Sequence, residues 1–162
     1  MSSTHPNAEL IRRFYDAFSK RDAEGMAACY ADDIHFGDAA FPDLRGPNAG
    51  DMWRMLCESG KDLRVEASEI DADDTKGSAR WVAHYTFSAT GKKVVNDIRA
   101  QFTFREGRIA THKDSFDFAK WARQALGVPG LLLGWTGWMQ RQVQARAAKG
   151  LASFQKKRAA KA

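Results

Sequence analysis

Two side chains in the stretch GRIATHKDSFDF (residues 107–118) have the types and spacing for acid–base chemistry. Successive side chains of a strand point to opposite sides. Ala110, His112, Asp114 and Phe116 therefore share one face, and Ile109, Thr111, Lys113 and Ser115 the other. An imidazole and a carboxylate two residues apart lie about 7 Å from each other at the Cβ atoms, close enough to pair directly or to share a water. A carboxylate on an apolar face holds its proton more tightly unless a partner offsets the desolvation, and a proton held near neutrality suits a general acid or base. Asp38 is a third candidate. It ends DDIHFGD and precedes the loop AAFPDLRGPNAG, where aspartate commonly starts a turn. Other chemistries find little support. His5, His35, His84 and His112 are scattered, with no HxH or HxxxH pair and no Cys/His cluster, so no metal is expected. GVPGLLLG lacks the Lys-Ser/Thr of a phosphate loop, and no GxSxG occurs, so the expectation is a site without cofactor.

These side chains need elements to place them. NAELIRRFYDAFSK carries apolar residues at 10, 11, 14, 15 and 18, a helical spacing, with Asn7 as the expected cap. Asp22 caps a second short helix, AEGMAACYA, in which Met26, Cys29 and Tyr30 share a face. AGDMWRMLCES reads as a third helix presenting Ala49, Met52, Trp53, Leu56 and Cys57. Four strands follow, LRVEASEID, SARWVAHYTFSA, KVVNDIRAQFTF and RIATHKDSFD, divided by the turn signals DADDTKG, ATGK and REG. Helices followed by a run of antiparallel strands make an α+β fold.

Taken in one register, the strands show Trp81, Ala83, Tyr85 and Phe87, then Ile98, Ala100, Phe102 and Phe104, then the His112/Asp114 face. The opposite faces are polar, as a sheet covered on one side by helices requires. Tyrosines aside, His112 and Asp114 are the only ionisable groups on the aromatic side. Tyr15, Phe18, Trp53, Trp81, Tyr85, Phe102 and Phe116 are the expected lining of an apolar pocket for a small ring-bearing ligand.

The 162 residues suit a single core-forming domain over 1–120, with a basic extension over 121–162 read as a loop and then an amphipathic helix. All 20 acidic residues precede Phe118, leaving residues 1–117 with a net charge of −4 and the remainder with +9. From about Trp138, Met139, Val143, Ala147, Leu151 and Phe154 recur at helical spacing. The expectation is a helix packed on its own domain or on a dimer mate, with contact to nucleic acid or an anionic membrane as the sharper alternative. GLLLGW with Trp138 suggests a lid over a pocket mouth or a contact with lipid. The amino terminus is too short and polar for a signal peptide, and no apolar run approaches the ~20 residues of a membrane span. Cys29 and Cys57 sit on apolar helix faces without a CxxC, which suggests free buried thiols and a cytoplasmic location.

FYDAFSKRDAEGMAACYADDIHFGD (14–38) and FREGRIATHKDSFDF (104–118) resemble the superfamily of nuclear transport factor 2, ketosteroid isomerases, SnoaL-type polyketide cyclases and limonene epoxide hydrolase. The resemblance spans about residues 7–120. It implies a cone: a curved antiparallel sheet wrapped around a long N-terminal helix, with a pocket at the open end and often a homodimer through the polar sheet face. It places Asp38 where isomerases carry a general base and Asp114 where hydrolases and cyclases carry a strand aspartate. The isomerase oxyanion positions read Phe14 and Ala100, and the other two hydrolase triad positions read Trp81 and Ala83. Minimal members end near the last strand, so the extension of about 40 residues is a departure. Two functions stay open. One is a cofactor-independent isomerase, cyclase or epoxide-hydrolase-like enzyme, with Asp114 or Asp38 as base and protonated His112 as the donor to a developing oxyanion. The other is a non-catalytic carrier of a hydrophobic ligand, or an interaction module using the basic tail.

Overall fold

The computed structural model describes residues 5–161. Helix α1 (Pro6–Ser19) is capped by His5, whose Nδ1 accepts from the backbone N–H of Asn7. The cap therefore falls two residues before the expected Asn7, and Pro6 occupies the first turn, where its missing N–H costs nothing. Asp22 caps α2 (Ala23–Ala28) through the N–H of Gly25, as expected. That helix stops sooner than its apolar spacing suggests, and Tyr30 opens strand β1 (Tyr30–Gly37) instead of closing the helix. β2 (Leu44–Arg45) and α3 (Pro47–Ser59) follow, then β3 (Arg64–Ala72), β4 (Lys76–Phe87), β5 (Lys92–Arg105) and β6 (Arg108–Ser115).

The six strands form one sheet in the order β2-β1-β6-β5-β4-β3. Every neighbouring pair is antiparallel except β1 and β6, which run parallel with Phe36 opposite His112 and Gly37 opposite Lys113. β1 ends there while β6 continues to Ser115, so Asp114 keeps a strand neighbour on one side only, Ala100 of β5. The β5–β6 register shifts once, with Thr103 opposite Thr111 but Phe104 opposite Ile109. This bulge turns Ile109 into the core, where it is fully buried, although simple alternation places it on the outer face. Beyond the bulge the expected alternation holds: His112 and Asp114 are buried while Thr111, Lys113 and Ser115 are exposed. The inner face packs on α1 through Ile11, Phe14, Tyr15 and Phe18, and on α3 through Met52, Trp53 and Cys57.

The expected loop after residue 121 is helical. Asp117 caps α4 (Phe118–Leu126) through Lys120 N–H, and Gly127, at φ 69°, ends it and opens α5 (Val128–Leu133). Gly130 presses on the α4 backbone so closely that a Cβ there would stand 1.9 Å from the Ala122 carbonyl oxygen. Trp121, Ala122 and Ala125 of α4 cover Val94, Tyr85, Phe87 and Phe116 at one end of the sheet. Thr136 caps α6 (Gly137–Ala160), which buries Met139 and Leu151 and half-buries Val143, Ala147 and Phe154. It lies on α3 of its own chain, with the Gln155 amide donating to Asn48 Oδ1 and Asp51 Oδ2. Among the described residues no helix is long and apolar enough to cross a membrane.

Cys29 and Cys57 are free and buried, and burial raises both thiols, Cys57 to about 11. Neither is a thiolate at neutral pH. A thiol reagent applied to the native protein at pH 7.5 is therefore expected to label neither cysteine over minutes, and both at once in denaturant; native labelling at the rate of a free thiol would contradict this packing.

Candidate active site

The His112 and Asp114 side chains are 0% and 1% exposed and pair directly, with His112 Nε2 2.9 Å from Asp114 Oδ1. The other ring nitrogen, Nδ1, lies 2.7 Å from the Tyr30 hydroxyl, and Trp53 Nε1 donates to that hydroxyl oxygen over 2.9 Å. Trp81 Nε1 donates to Asp114 Oδ1 over 3.3 Å. With a neutral imidazole every contact is used when the Tyr30 oxygen accepts from Trp53 Nε1–H, since an indole N–H can only donate, and the tyrosine proton goes to His112 Nδ1. Burial holds the Tyr30 hydroxyl well above its usual pKa, which keeps that proton in place. His112 Nε2–H then donates to Asp114. The result is a five-residue chain from α3 through β1, β6 and β4, ending on a carboxylate that accepts two N–H groups at one oxygen.

The other oxygen, Asp114 Oδ2, is buried without a hydrogen-bond partner, and so is the Tyr15 hydroxyl. Burial, and next the nearby Asp114 charge, push Tyr15 well above the usual phenol range, so it stays a hydroxyl. A buried acceptor and a buried donor, both unsatisfied and electrostatically coupled, are the arrangement a polar ligand atom or a water would complete.

Asp38 follows the last residue of β1, where the chain leaves the sheet. Its Oδ1 accepts from the N–H groups of Ala40 at 2.8 Å and Phe41 at 2.6 Å. Desolvation by burial raises its pKa to about 6; those backbone donors oppose the rise and the Asp114 charge adds to it. Asp38, Ala39 and Pro42 form one wall of an open cleft of about 620 Å³, and His112, Asp114 and Phe116 contribute to the other, where β6 runs on past the end of β1. The amides of Gln140 and Gln144 on α6 donate to the Ala39 carbonyl at 3.4 and 3.1 Å, tying the extension to the Asp38 loop.

The three expected acid–base residues thus lie about one cleft, with the His112 and Asp114 side chains sealed behind its wall. The expected aromatic lining divides. Phe116 borders the cleft. Tyr15, Phe18, Trp53, Trp81 and Phe102 are buried and pack ring against ring, among them Phe18 on Trp53 at 5.0 Å and Phe102 on His112 at 4.4 Å. Tyr85 lies beneath α4, where its hydroxyl accepts from Trp121 Nε1 at 2.7 Å. Both nitrogens of His112 are engaged within the protein, one by Tyr30 and one by Asp114. Tyr30 was missed from the sequence because helical spacing groups it with Met26 and Cys29, while Gln140 and Gln144 carry no signal beyond their place on the polar side of an amphipathic pattern. Among the described residues no group of three or more His, Cys, Asp or Glu is placed to hold a metal ion.

Residues 11–112, well over half the chain, match the SnoaL-like domain family. The chain belongs to that family. The matched residues end at His112, two residues before Asp114 and ahead of α4 to α6. Solved structures of SnoaL-like shape superpose well. A protein of unknown function from Burkholderia pseudomallei, with a fold like that of nuclear transport factor 2, aligns at a TM-score of 0.64 with 19% identity, over 75% of this chain and 98% of that one. A putative polyketide cyclase from Xanthomonas campestris gives 0.62 and 23%, over 74% and 96%. An epoxide hydrolase of M. tuberculosis, similar to limonene epoxide hydrolase, gives 0.61 and 19%, over 79% and 96%. At these identities the likeness establishes the SnoaL-like fold and nothing finer. No curated protein matches the sequence.

Proposed function

We propose that the protein is a cofactor-independent enzyme that moves a proton on a small apolar carbonyl or epoxide ligand, with Asp114 as the base. The observation that carries this reading is the unpartnered Asp114 Oδ2, buried on a carboxylate whose other oxygen is fixed by His112 and Trp81. A fixed carboxylate with one free oxygen can take a proton from carbon, and the Tyr15 hydroxyl, also unpartnered, can donate to the oxygen that gains charge. His112 and Tyr30 are positioning residues. Asp38, across the cleft with a pKa near 6, returns or relays the proton. Phe116 at the border of the cleft favours an apolar ligand. Isomerase and cyclase chemistry begin with such a step. On an epoxide the same carboxylate would take a proton from water as the water oxygen bonds to carbon and the ring C–O bond breaks, the Tyr15 hydroxyl protonating the leaving oxygen. The putative cyclase and epoxide hydrolase of similar shape are in keeping with either.

The test is proton exchange in D2O. A panel of apolar ketones is incubated with the protein and followed by NMR for loss of the α-proton, with epoxides scored for diol formation. Asp114→Asn keeps Oδ1 as acceptor and removes the base, so exchange should fall by roughly 10²-fold or more with the fold retained. Phe14 and Ala100, and Trp81 and Ala83, which stand where isomerases and hydrolases carry catalytic groups, support one rival, a carrier without catalysis. A co-purifying ligand identical in the wild type and Asp114→Asn by native mass spectrometry, together with no exchange, would favour the carrier.

A further inference from the structure

Six large apolar side chains stand in solvent on one continuous segment, α5 and the start of α6. Val128 is 67% exposed, Leu131 59%, Leu132 64%, Leu133 40%, Trp135 77% and Trp138 53%. The segment is well anchored. Trp135 Nε1 donates to the Leu132 carbonyl at 3.0 Å, Thr136 caps α6, and Gly130 is locked against α4. The crest is therefore held out on a rigid base. Cations surround it: the Lys92 side chain lies against Gly127 at the start of α5, Arg123 is on the last turn of α4, and Arg141 is one turn past Trp138. All three are exposed, and among the described residues none is in an ion pair. No acidic residue follows Asp117.

We propose that this crest docks the protein peripherally on an anionic lipid bilayer. Leucines and a valine that protrude enter the acyl boundary, tryptophans settle at the headgroup level, and a ring of cations meets the lipid charge. Two other occupants fit less well. A nucleic acid would use the cations but has no place for six apolar side chains. A second copy seated on the same crest would bring Lys92, Arg123 and Arg141 against their own counterparts, with no carboxylate in the segment to separate them. The proposal does not rest on the catalytic reading.

The full-length protein is sedimented with vesicles of phosphatidylcholine alone, or of phosphatidylcholine and phosphatidylglycerol in equal parts. Binding to the mixed vesicles, weak binding to the neutral ones, and loss of binding as salt rises are expected. Trp135→Ser/Trp138→Ser should weaken binding by about tenfold or more, and Arg123→Gln and Arg141→Gln by about fivefold each. All four side chains are exposed, and apart from the Trp135 bond to Leu132 none anchors the segment, so the melting temperature should fall by no more than a few degrees and certify the fold. Tryptophan fluorescence of the wild type should shift to the blue with mixed vesicles, and not in the double variant. Absence of binding to mixed vesicles overturns the proposal, as does binding that the tryptophan pair does not affect. A concentration-dependent dimer that the tryptophan variant dissociates, without vesicle binding, assigns the crest to a second copy. Binding to duplex DNA that survives loss of both tryptophans, again without vesicle binding, assigns the cations to nucleic acid.

Discussion

His112→Leu lowers the melting temperature by roughly 10 °C. Removing the hydrogen-bond partner of a buried carboxylate strands its charge at a cost of about 3–5 kcal/mol, and a chain of this size loses about 2–4 °C for each. The cause is what remains behind. Asp114 keeps only the Trp81 N–H, on a side chain 1% exposed, and the Tyr30 hydroxyl loses its acceptor in a fully buried setting. Leucine matches histidine in volume but is branched rather than flat, a poorer fit among Phe14, Phe36 and Phe102, whose rings lie 5.4, 5.0 and 4.4 Å from the His112 ring. The double variant His112→Leu/Asp114→Leu removes the stranded charge and should recover part of the loss, since replacing both partners by apolar groups is far milder than removing one. A thermal melt of the four proteins gives the coupling directly. If His112→Leu and Asp114→Leu simply add, the pair is not coupled as described.

A further variant, Asp114→Asn, separates structure from function. Asp114→Asn preserves an acceptor at Oδ1 for His112 and Trp81, so its melt should stay within a few degrees of the wild type while proton exchange collapses. A stability loss as large as that of His112→Leu would mean that the carboxylate charge itself holds the fold, and that the free Oδ2 is incidental.

The face shared by His112 and Asp114 was legible because strand alternation needs only the sequence. Ile109, three residues earlier, was not. Its burial follows from a bulge set where Thr103 and Phe104 meet β6, a choice made across strands. Tyr30 shows a different failure: Met26, Cys29 and Tyr30 fit a helical face, but the chain turns at Cys29 and the tyrosine enters β1 one element away. GVPGLLLG suggested a loop through its glycines and proline. Yet Pro129 sits in the first turn of a helix, where proline is tolerated, and only Gly127, at positive φ, breaks the chain. Each miss lies where a pairing or packing partner distant in sequence selected between two locally acceptable conformations.

Asp38 is where such long-range packing has its clearest chemical consequence. As a turn starter it was legible; its pKa was not, because burial raises it to about 6 and that burial depends on a loop held partly by Gln140 and Gln144. An aspartate in the unfolded chain titrates near 3.9, so the folded state binds its proton more tightly. The resulting stability is fully present below about pH 4, declines as pH rises, and is gone above about pH 6, a difference of at most about 3 kcal/mol. Asp38→Asn keeps the acceptor for Ala40 and Phe41 and cannot ionise. Its melting temperature should exceed that of the wild type by about 5 °C at pH 7.5 and match it at pH 4. Comparing the two proteins at each pH cancels every other titrating group, so a gain that is equal at both values would trace to something other than this carboxyl. Should Asp38 also relay the proton, the wild-type exchange rate will bend near pH 6 and the Asp38→Asn profile will lose that bend. Stability and activity then report one ionisation by independent routes, and disagreement between their midpoints would detach Asp38 from the chemistry while leaving its place at the cleft intact.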